Sequence, residues 1–593
     1  MRSSTLTLPQ VMQQALAAYQ RGDSAEAARL CRLMLDAKPD YFDALYLSGI
    51  VAEQTGSGTE AVELLSRAVA AKPDVAEAHY NLGVALAGVG RADDALQSYD
   101  RVTALKPDLV DAHYNRGLLL VELGRSEQAL ENYDRAVALD PGRAEVHNNR
   151  GIALGLLGRH EEALASYDRA LVLRPDYARA SNNRGAALVQ LGRFDDALAS
   201  YDRAIACKPD YAEAYNNRGI ALSELDRAAE ALESYERALA IRPAYADAFY
   251  NRGNALRDLY RHHEAVASYE RALALQPDHA SAHWNLADCL LLLGDFARGW
   301  QEYQWRWNLT QRNTYGQDFD QPLWLGTQPL AGRTIVLHSE LGLGDTLQFC
   351  RYAKQVAALG ARVVLDVQPA LHPLLAGLEG AAEVVARGDP LPHFDFHCPL
   401  MSLPLAFRTD LGSIPAPIPY LRSDAARVSV WEKRLGARMK PRVGVVWSGS
   451  RLLPNDKRSM SLAQMLPLLG DWAEWVSLQK DVPAADAGLL ASHPALRPLG
   501  SEFADFADTA ALVELMDIVV TVDTSVAHVA GGMGKPLWVM LPFNQHDWRW
   551  MLGREDSLWY PTARLFRQSA SGDWEGVISR VREALMQRFG ASR

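Results

Sequence analysis

Along the first half of the chain, small, apolar and aromatic positions return every 34 residues. Prolines fall at Pro39, Pro73, Pro107, Pro141, Pro175, Pro209, Pro243 and Pro277. In fixed phase with them run glycines from Gly49 to Gly253, alanines from Ala61 to Ala265 and tyrosines from Tyr99 to Tyr269. Such a pattern predicts two helices per repeat. Gly and Ala let antiparallel helices approach closely, Tyr fills the space between them, and Pro stops the second helix before the next unit. Ala27 and Pro39 place a first unit near Pro9, while Gly299 and Tyr303 keep the phase of a ninth. Gln311 stands where the next proline is due, so the array is expected to end there, with Trp300, Trp305 and Trp307 at its joint with the second half of the chain.

A period of 34 with small residues at two phases is the signature of the tetratricopeptide repeat. Its units bury their faces only against neighbours, which predicts an all-α, right-handed superhelix with a long concave groove over residues 8–310. One phase does not read as packing. Asn81, Asn115, Asn149, Asn183, Asn217, Asn251 and Asn285 recur in seven successive repeats, although Asn costs a helix about half a kcal/mol against Ala. Facing the groove, these amides could pair with the backbone of an extended peptide without reading its sequence. Alternatively they bond to one another or to neighbouring carbonyls and tie repeats together. The ladder resembles that of the repeat domain of the O-linked N-acetylglucosamine transferases, where it holds the protein acceptor. Arg116, Arg150, Arg184, Arg218 and Arg252 follow in the next phase. A carboxylate clamp is one reading of them, and pairing with acidic neighbours beside the packing glycine is the other.

After a linker over 311–329 the period vanishes and short β-branched runs alternate with helical stretches. Strands are expected at Thr334–His338, Arg362–Val367, Arg442–Trp447, Trp475–Gln479, Ile518–Val522 and Leu537–Met540. Helices are expected at Thr346–Leu359, Pro369–Leu378, Leu462–Leu469 and Thr509–Met516, with another starting at Ser525. This alternation implies parallel, doubly wound sheets. The Pro-rich stretch from Pro399 to Pro419 divides them into two facing domains, 330–430 and 440–593, the second closing on a C-terminal helix. Ligands of such folds sit at the carboxyl ends of the strands.

Composition narrows the class. The chain has 593 residues, a net charge of −11 and no basic excess, which argues against a nucleic-acid binder. Its 48% apolar and 22% charged residues are those of a globular protein. No apolar run reaches the roughly 18 residues of a membrane span, and the N-terminus lacks a signal-peptide core. Five widely spaced cysteines (Cys31, Cys207, Cys289, Cys350 and Cys398) read as free thiols in a reducing compartment. The expected location is the cytoplasm.

Three loops after expected strands carry candidate chemistry. In Ser339-Glu-Leu-Gly-Leu-Gly-Asp345, Gly342 and Gly344 permit close backbone approach. Asp345 could serve there as a general base or merely cap its helix. The loop from Ser448 to Ser459 is polar and could place Lys457 or Arg458 on a diphosphate. Asp523-Thr524-Ser525 meets a helix start, whose free N–H groups favour an anion. A cap, with His528 as a satisfied core histidine, is equally open. Asp318-Phe-Asp320 lies in the linker and is not read as a metal site; no metal or cofactor is expected.

In this order, a Gly-Asp loop, a Lys loop and then Asp-Thr-x-x-x-His before Ala530-Gly-Gly-Met-Gly-Lys-Pro536, the loops resemble the heptosyltransferase family. Those are inverting enzymes with the GT-B fold of two facing Rossmann-like domains. With the repeats, with Gly342-Leu-Gly-Asp-Thr-Leu-Gln-Phe-Cys-Arg-Tyr352 and with Trp559-Tyr-Pro-Thr-Ala-Arg564, the layout is similar to bacterial tetratricopeptide-repeat glycosyltransferase-like proteins. The resemblance implies Asp345 as base. It implies Gly344, Ser448, Lys457, Asp523, Thr524, Ser525 and His528 around the donor phosphates. Ser525 replaces the glycine common in that family, and Gln479 and Lys480 stand where an acidic residue is usual. The implied activity moves a sugar from a nucleotide-sugar donor to a protein acceptor presented by the repeats. The rival reading is a binding scaffold whose transferase fold is silent.

Overall fold

The structure, a computed structural model, describes residues 7–309, 319–340, 342–449, 458–543 and 547–590. It divides into two compact units, Met1–Pro243 and Ala244–Arg593.

The first unit holds seven helix pairs, from Leu8–Gln20 to Ala228–Ile241. Each pair turns on one residue in the left-handed backbone region. That residue is glycine at Gly22, Gly56, Gly90, Gly124, Gly158 and Gly192, and Asp226 (φ 57°) in the seventh pair. The periodic glycine of the first helix has a different task. A Cβ on Gly151 would stand 2.5 Å from the Tyr167 ring, and one on Gly219 2.5 Å from Tyr235. The alanines of the second helices, such as Ala95, Ala129 and Ala163, are wholly buried. Close approach, not flexibility, fixes both residue types at their phase.

Two further pairs open the second unit, from Ala246–Asp258 to Phe296–Glu302, followed by the 3-10 turn Tyr303–Asn308. The packing boundary therefore falls inside the array, two repeats before the repeat pattern stops. The reason is a shared core: Leu291, Phe296, Trp300 and Tyr303 are continuous with Leu337, Phe349, Val446, Val529 and Trp559. Trp300 is at the joint, donating to the Thr409 carbonyl at 3.1 Å. Trp305 instead stacks on His283 at 3.9 Å, and Trp307 lies under the Arg306 guanidinium.

Two all-parallel sheets come next. The first orders β1 (Thr334–His338), β2 (Arg362–Val367), β3 (Glu383–Ala386) and β4 (Phe396–Pro399) as β3-β2-β1-β4. The second is built from β5 (Arg442–Val446), β6 (Glu474–Ser477), β7 (Leu496–Pro498), β8 (Ile518–Val522), β9 (Leu537–Leu541) and β10 (Ala563–Arg567). Its order is β10-β9-β8-β5-β6-β7. The C-terminal part is thus α/β, as the alternation predicts. The strand order reverses beside β1 in one sheet and between β5 and β8 in the other, which opens a crevice at the carboxyl ends of those strands.

Some elements differ from expectation. The helix expected over Thr346–Leu359 is broken into Leu343–Phe349, a 3-10 turn Cys350–Tyr352 and Ala353–Ala358, and the one over Pro369–Leu378 shrinks to His372–Leu375. Helix Ala425–Leu435 packs on Phe506–Glu514 of the second lobe, with Arg427 on Asp505 (2.8 and 2.9 Å) and Trp431 on Asp508 (3.1 Å).

Candidate functional site

The loop after β1 is anchored from below. Glu340 is buried and accepts from Arg306 Nε and Nη2 at 2.7 and 3.0 Å and from the Met401 N–H at 3.1 Å; Arg306 Nη2 also reaches Ser402 Oγ at 2.7 Å. Arg306 belongs to the turn that ends the repeats. A buried guanidinium–carboxylate pair with its remaining valences filled ties the array's end to this loop.

From that anchor the chain enters helix Leu343–Phe349. Gly344 is where the lobes meet: a Cβ there would stand 2.7 Å from the His528 ring. Asp345 does cap its helix, accepting the Gly342 N–H at 2.8 Å through Oδ2. Its other oxygen accepts from Arg549 Nη2, across to the second lobe.

Arg549 is the hub of the cleft, and nothing in the residue pattern marked it. Its Nε donates to Gln348 at 2.6 Å, its Nη1 to both oxygens of Asp547 at 3.1 Å, and its guanidinium lies 4.3 Å from the Trp548 ring centre. Burial opposes its charge, yet the carboxylates of Asp547 and Asp345 hold it above its ordinary range. Asp523, at the end of β8, is 5% exposed. Burial, then the charge of Asp547, pushes its carboxyl up to about 6, against the opposing pull of Arg458, 3.9 Å away. Arg549 thus joins Asp345 to Asp547, and the charges of Asp547, Arg458 and Arg549 in turn act on Asp523.

The remaining candidate residues sit around the β5/β8 switch. Ser448 follows β5 and is held by Gln479, which accepts its N–H at 3.1 Å and donates to its carbonyl at 2.8 Å. That bracing accounts for a glutamine at the end of β6. Thr524 precedes helix Ser525–Gly532 without capping it, its hydroxyl lying 3.0 Å from that of Thr521. The first turn's N–H groups therefore keep no side-chain cap, and Ser525 is half-buried there. His528 bonds Tyr560 through Nδ1 at 2.7 Å, and burial, then Arg549, pushes it down to about 3. It stands at the lobe contact beside Gly344, with Nδ1 partnered by Tyr560. Lys457 and Asp318 lie outside the described residues. A cavity of about 350 Å³ opens beside the ends of β9 and β10, lined by Ser459, Gln464, Pro542, Gln568 and Trp574.

In the repeats the asparagines reach one unit back. Asn81, Asn115 and Asn149 donate to the hydroxyls of Tyr46, Tyr80 and Tyr114 at 2.7, 2.9 and 2.9 Å. Asn183 and Asn217 donate to Asn148 and Asn182 at 3.0 and 3.1 Å, and Asn285 to Asn254 at 2.8 Å. Asn251 is half-buried at the same phase. One donor of each of these six amides ties neighbouring units, and all but Asn149 are partly open. The arginine row is paired: Arg116, Arg150, Arg184 and Arg218 meet Asp100, Asp134, Asp168 and Asp202 at 2.6–2.8 Å. It forms no clamp.

Comparison with known proteins fits the helical half. Residues 12–76, 46–110, 114–178 and 250–304 match a tetratricopeptide repeat family, and 185–226 and 224–259 a second TPR repeat family. The N-terminal region is built of tetratricopeptide repeats. A curated relative is protein FlbA of Caulobacter vibrioides (strain ATCC 19089 / CIP 103742 / CB 15), 27% identical over 341 residues, which cover 52% of this chain. The chain spans about half of that relative's length, 55%. Among solved structures, MamA is 26% identical with a TM-score of 0.27, covering 27% of this chain and 95% of its own. YrrB, described as a TPR protein with an unusual peptide-binding site, is 24% identical with a TM-score of 0.28, covering 32% and 96%. Among the described residues no helix is long and apolar enough to cross a membrane.

Proposed function

We propose that the C-terminal lobes form an inverting glycosyltransferase of the heptosyltransferase type, with the repeats as a scaffold that presents a protein acceptor. The observation that carries this reading is the bridge from Asp345, after β1, through Arg549 to Asp547, whose charge acts on Asp523 at the end of β8. It is a charged, partly buried cluster at the strand ends where α/β sheets take ligands. In this reading Ser448, Thr524 and the uncapped N–H groups before Val526 hold the donor diphosphate, with Arg458 and Lys457 supplying positive charge as the leaving group departs. Asp345 takes the proton of the attacking hydroxyl. The partly open amides of the asparagine ladder would meet the acceptor's backbone.

The test is a panel of nucleotide sugars, scored for release of nucleoside diphosphate with wild type and Asp345→Ala. Turnover that falls at least ~100-fold in the variant supports Asp345 as base; undiminished turnover removes it from that role. One observation favours a second reading, a non-catalytic scaffold: both carboxylate oxygens of Asp345 already accept hydrogen bonds. Failure of every donor to bind would select it.

A further inference from the structure

Arg549 carries more carboxylate than it can neutralise. Asp547 takes Nη1 through both of its oxygens, Gln348 takes Nε, and Asp345 takes Nη2. Asp547 is two residues away in sequence and moves with Arg549. Asp345 comes from the other lobe, 204 residues away, and is the one charged partner of the two from that lobe, so an incoming anion could replace it without unfolding a turn. A phosphate presents the same pair of oxygens to a guanidinium as a carboxylate does.

We infer that Arg549 is a donor-sensing latch: it holds Asp345 across the cleft in the ligand-free protein and exchanges it for the donor's diphosphate. The inference rests on the cleft being a nucleotide-sugar site. Its geometry sets an order of events. While the latch is closed, both oxygens of Asp345 are occupied, one by the Gly342 N–H and the other by the Arg549 guanidinium. When the diphosphate takes Nη2, Asp345 keeps the Gly342 N–H, remains in place at the head of its helix and gains a free oxygen facing the acceptor side. The surroundings suit an exchange. The side chains of Asp345 and Asp547 are 19% and 22% exposed, so an anion can reach the hub, while Arg549 at 10% stays fixed between Gln348 and the Trp548 ring.

Inorganic pyrophosphate is the probe, and the full chain is the protein. Two readouts are needed: its affinity by calorimetry, and labelling of Asp345 by carbodiimide and an amine, followed by mass spectrometry. In wild type, saturating pyrophosphate should raise labelling of Asp345 severalfold, because the carboxylate is let go. Asp345→Asn, which removes the competing charge and needs no repacking, should bind pyrophosphate about tenfold more tightly. Arg549→Lys, which keeps a charge but loses the planar fork, should bind it at least about tenfold more weakly. Asp345 labelling that is unchanged or falls on adding pyrophosphate overturns the latch, as does an Asp345→Asn affinity no tighter than wild type, or no binding at all. The two ideas fail separately. Release of Asp345 by pyrophosphate without turnover of any nucleotide sugar keeps the latch and defeats the transferase. Turnover with Asp345 labelling indifferent to pyrophosphate does the reverse.

Discussion

Asp523 sits at the end of a strand buried on both faces, where burial and the charge of Asp547 push its carboxyl up from 3.8 to about 6. Between those values the folded chain keeps a proton that the unfolded chain has given up. Stability therefore falls as the pH rises through that window and stays lower above it. Asn has the same shape and cannot ionise. Asp523→Asn should be more stable than wild type by about 3 kcal/mol near pH 8, with most of the gain gone by about pH 4. Urea unfolding at both ends of the range checks this, and a difference that ignores pH would place Asp523's partners elsewhere. The sequence disclosed Asp523 as a candidate because it follows a clean β-branched run, Ile518-Val-Val-Thr-Val522. Arg549 was invisible for the opposite reason. Its partners across the lobes, Asp345 and Gln348, are about 200 positions away, and no local pattern marks an arginine between two tryptophans as the place where they meet.

Elements were legible where one physical demand dominated. Repeat helices are set by close approach at the glycine and alanine phases, so counting prolines finds them. Strands β1, β2, β5, β8 and β9 are buried on both faces and spell continuous apolar runs. Strand β10, Ala563-Arg-Leu-Phe-Arg567, carries two arginines at the sheet's edge, and β7 is three residues long. Neither has a period to read. The expected helix over Thr346–Leu359 breaks where Arg351 is buried and donates to the carbonyls of Pro415 and Trp559 at 3.2 and 2.9 Å. Tertiary hydrogen bonding there outweighs helix propensity. The joint between Arg306 and Glu340 belongs to the same scale. Arg306→Met should cost about 3–5 kcal/mol, because it leaves a buried carboxylate unpaired. Adding Glu340→Gln should return most of that loss, since the neutral pair no longer needs a charge partner. Chemical denaturation of the two variants decides it. Equal instability of the single and double variants would mean that the guanidinium stabilises through packing on Trp307 and Tyr303 rather than through charge.

At the scale of the whole molecule, the repeat pattern and the packing place the boundary differently, and the difference has a measurable consequence. A fragment cut at the end of the repeats, 311–593, retains both sheets but loses Phe296, Trp300, Tyr303 and Arg306. Trp300 packs edge-on against Trp548 and Phe349, and Phe296 stacks on Trp559. Their removal would open the largest apolar core in the chain to water and strand Glu340 without its partner. A fragment cut at the packing boundary, 244–593, keeps every one of these contacts. The longer fragment should therefore unfold in a single cooperative transition, while the shorter should aggregate or melt without one. The complementary fragment 1–243 should fold alone, because stacked repeats draw their stability from nearest neighbours. Circular dichroism melts of the three fragments read this directly. A cooperative 311–593 would show that the terminal repeats merely lean on the α/β lobes. The expected result would make the last two repeats part of the α/β body, so that whatever the array holds is presented by helices built into the same core as the cleft.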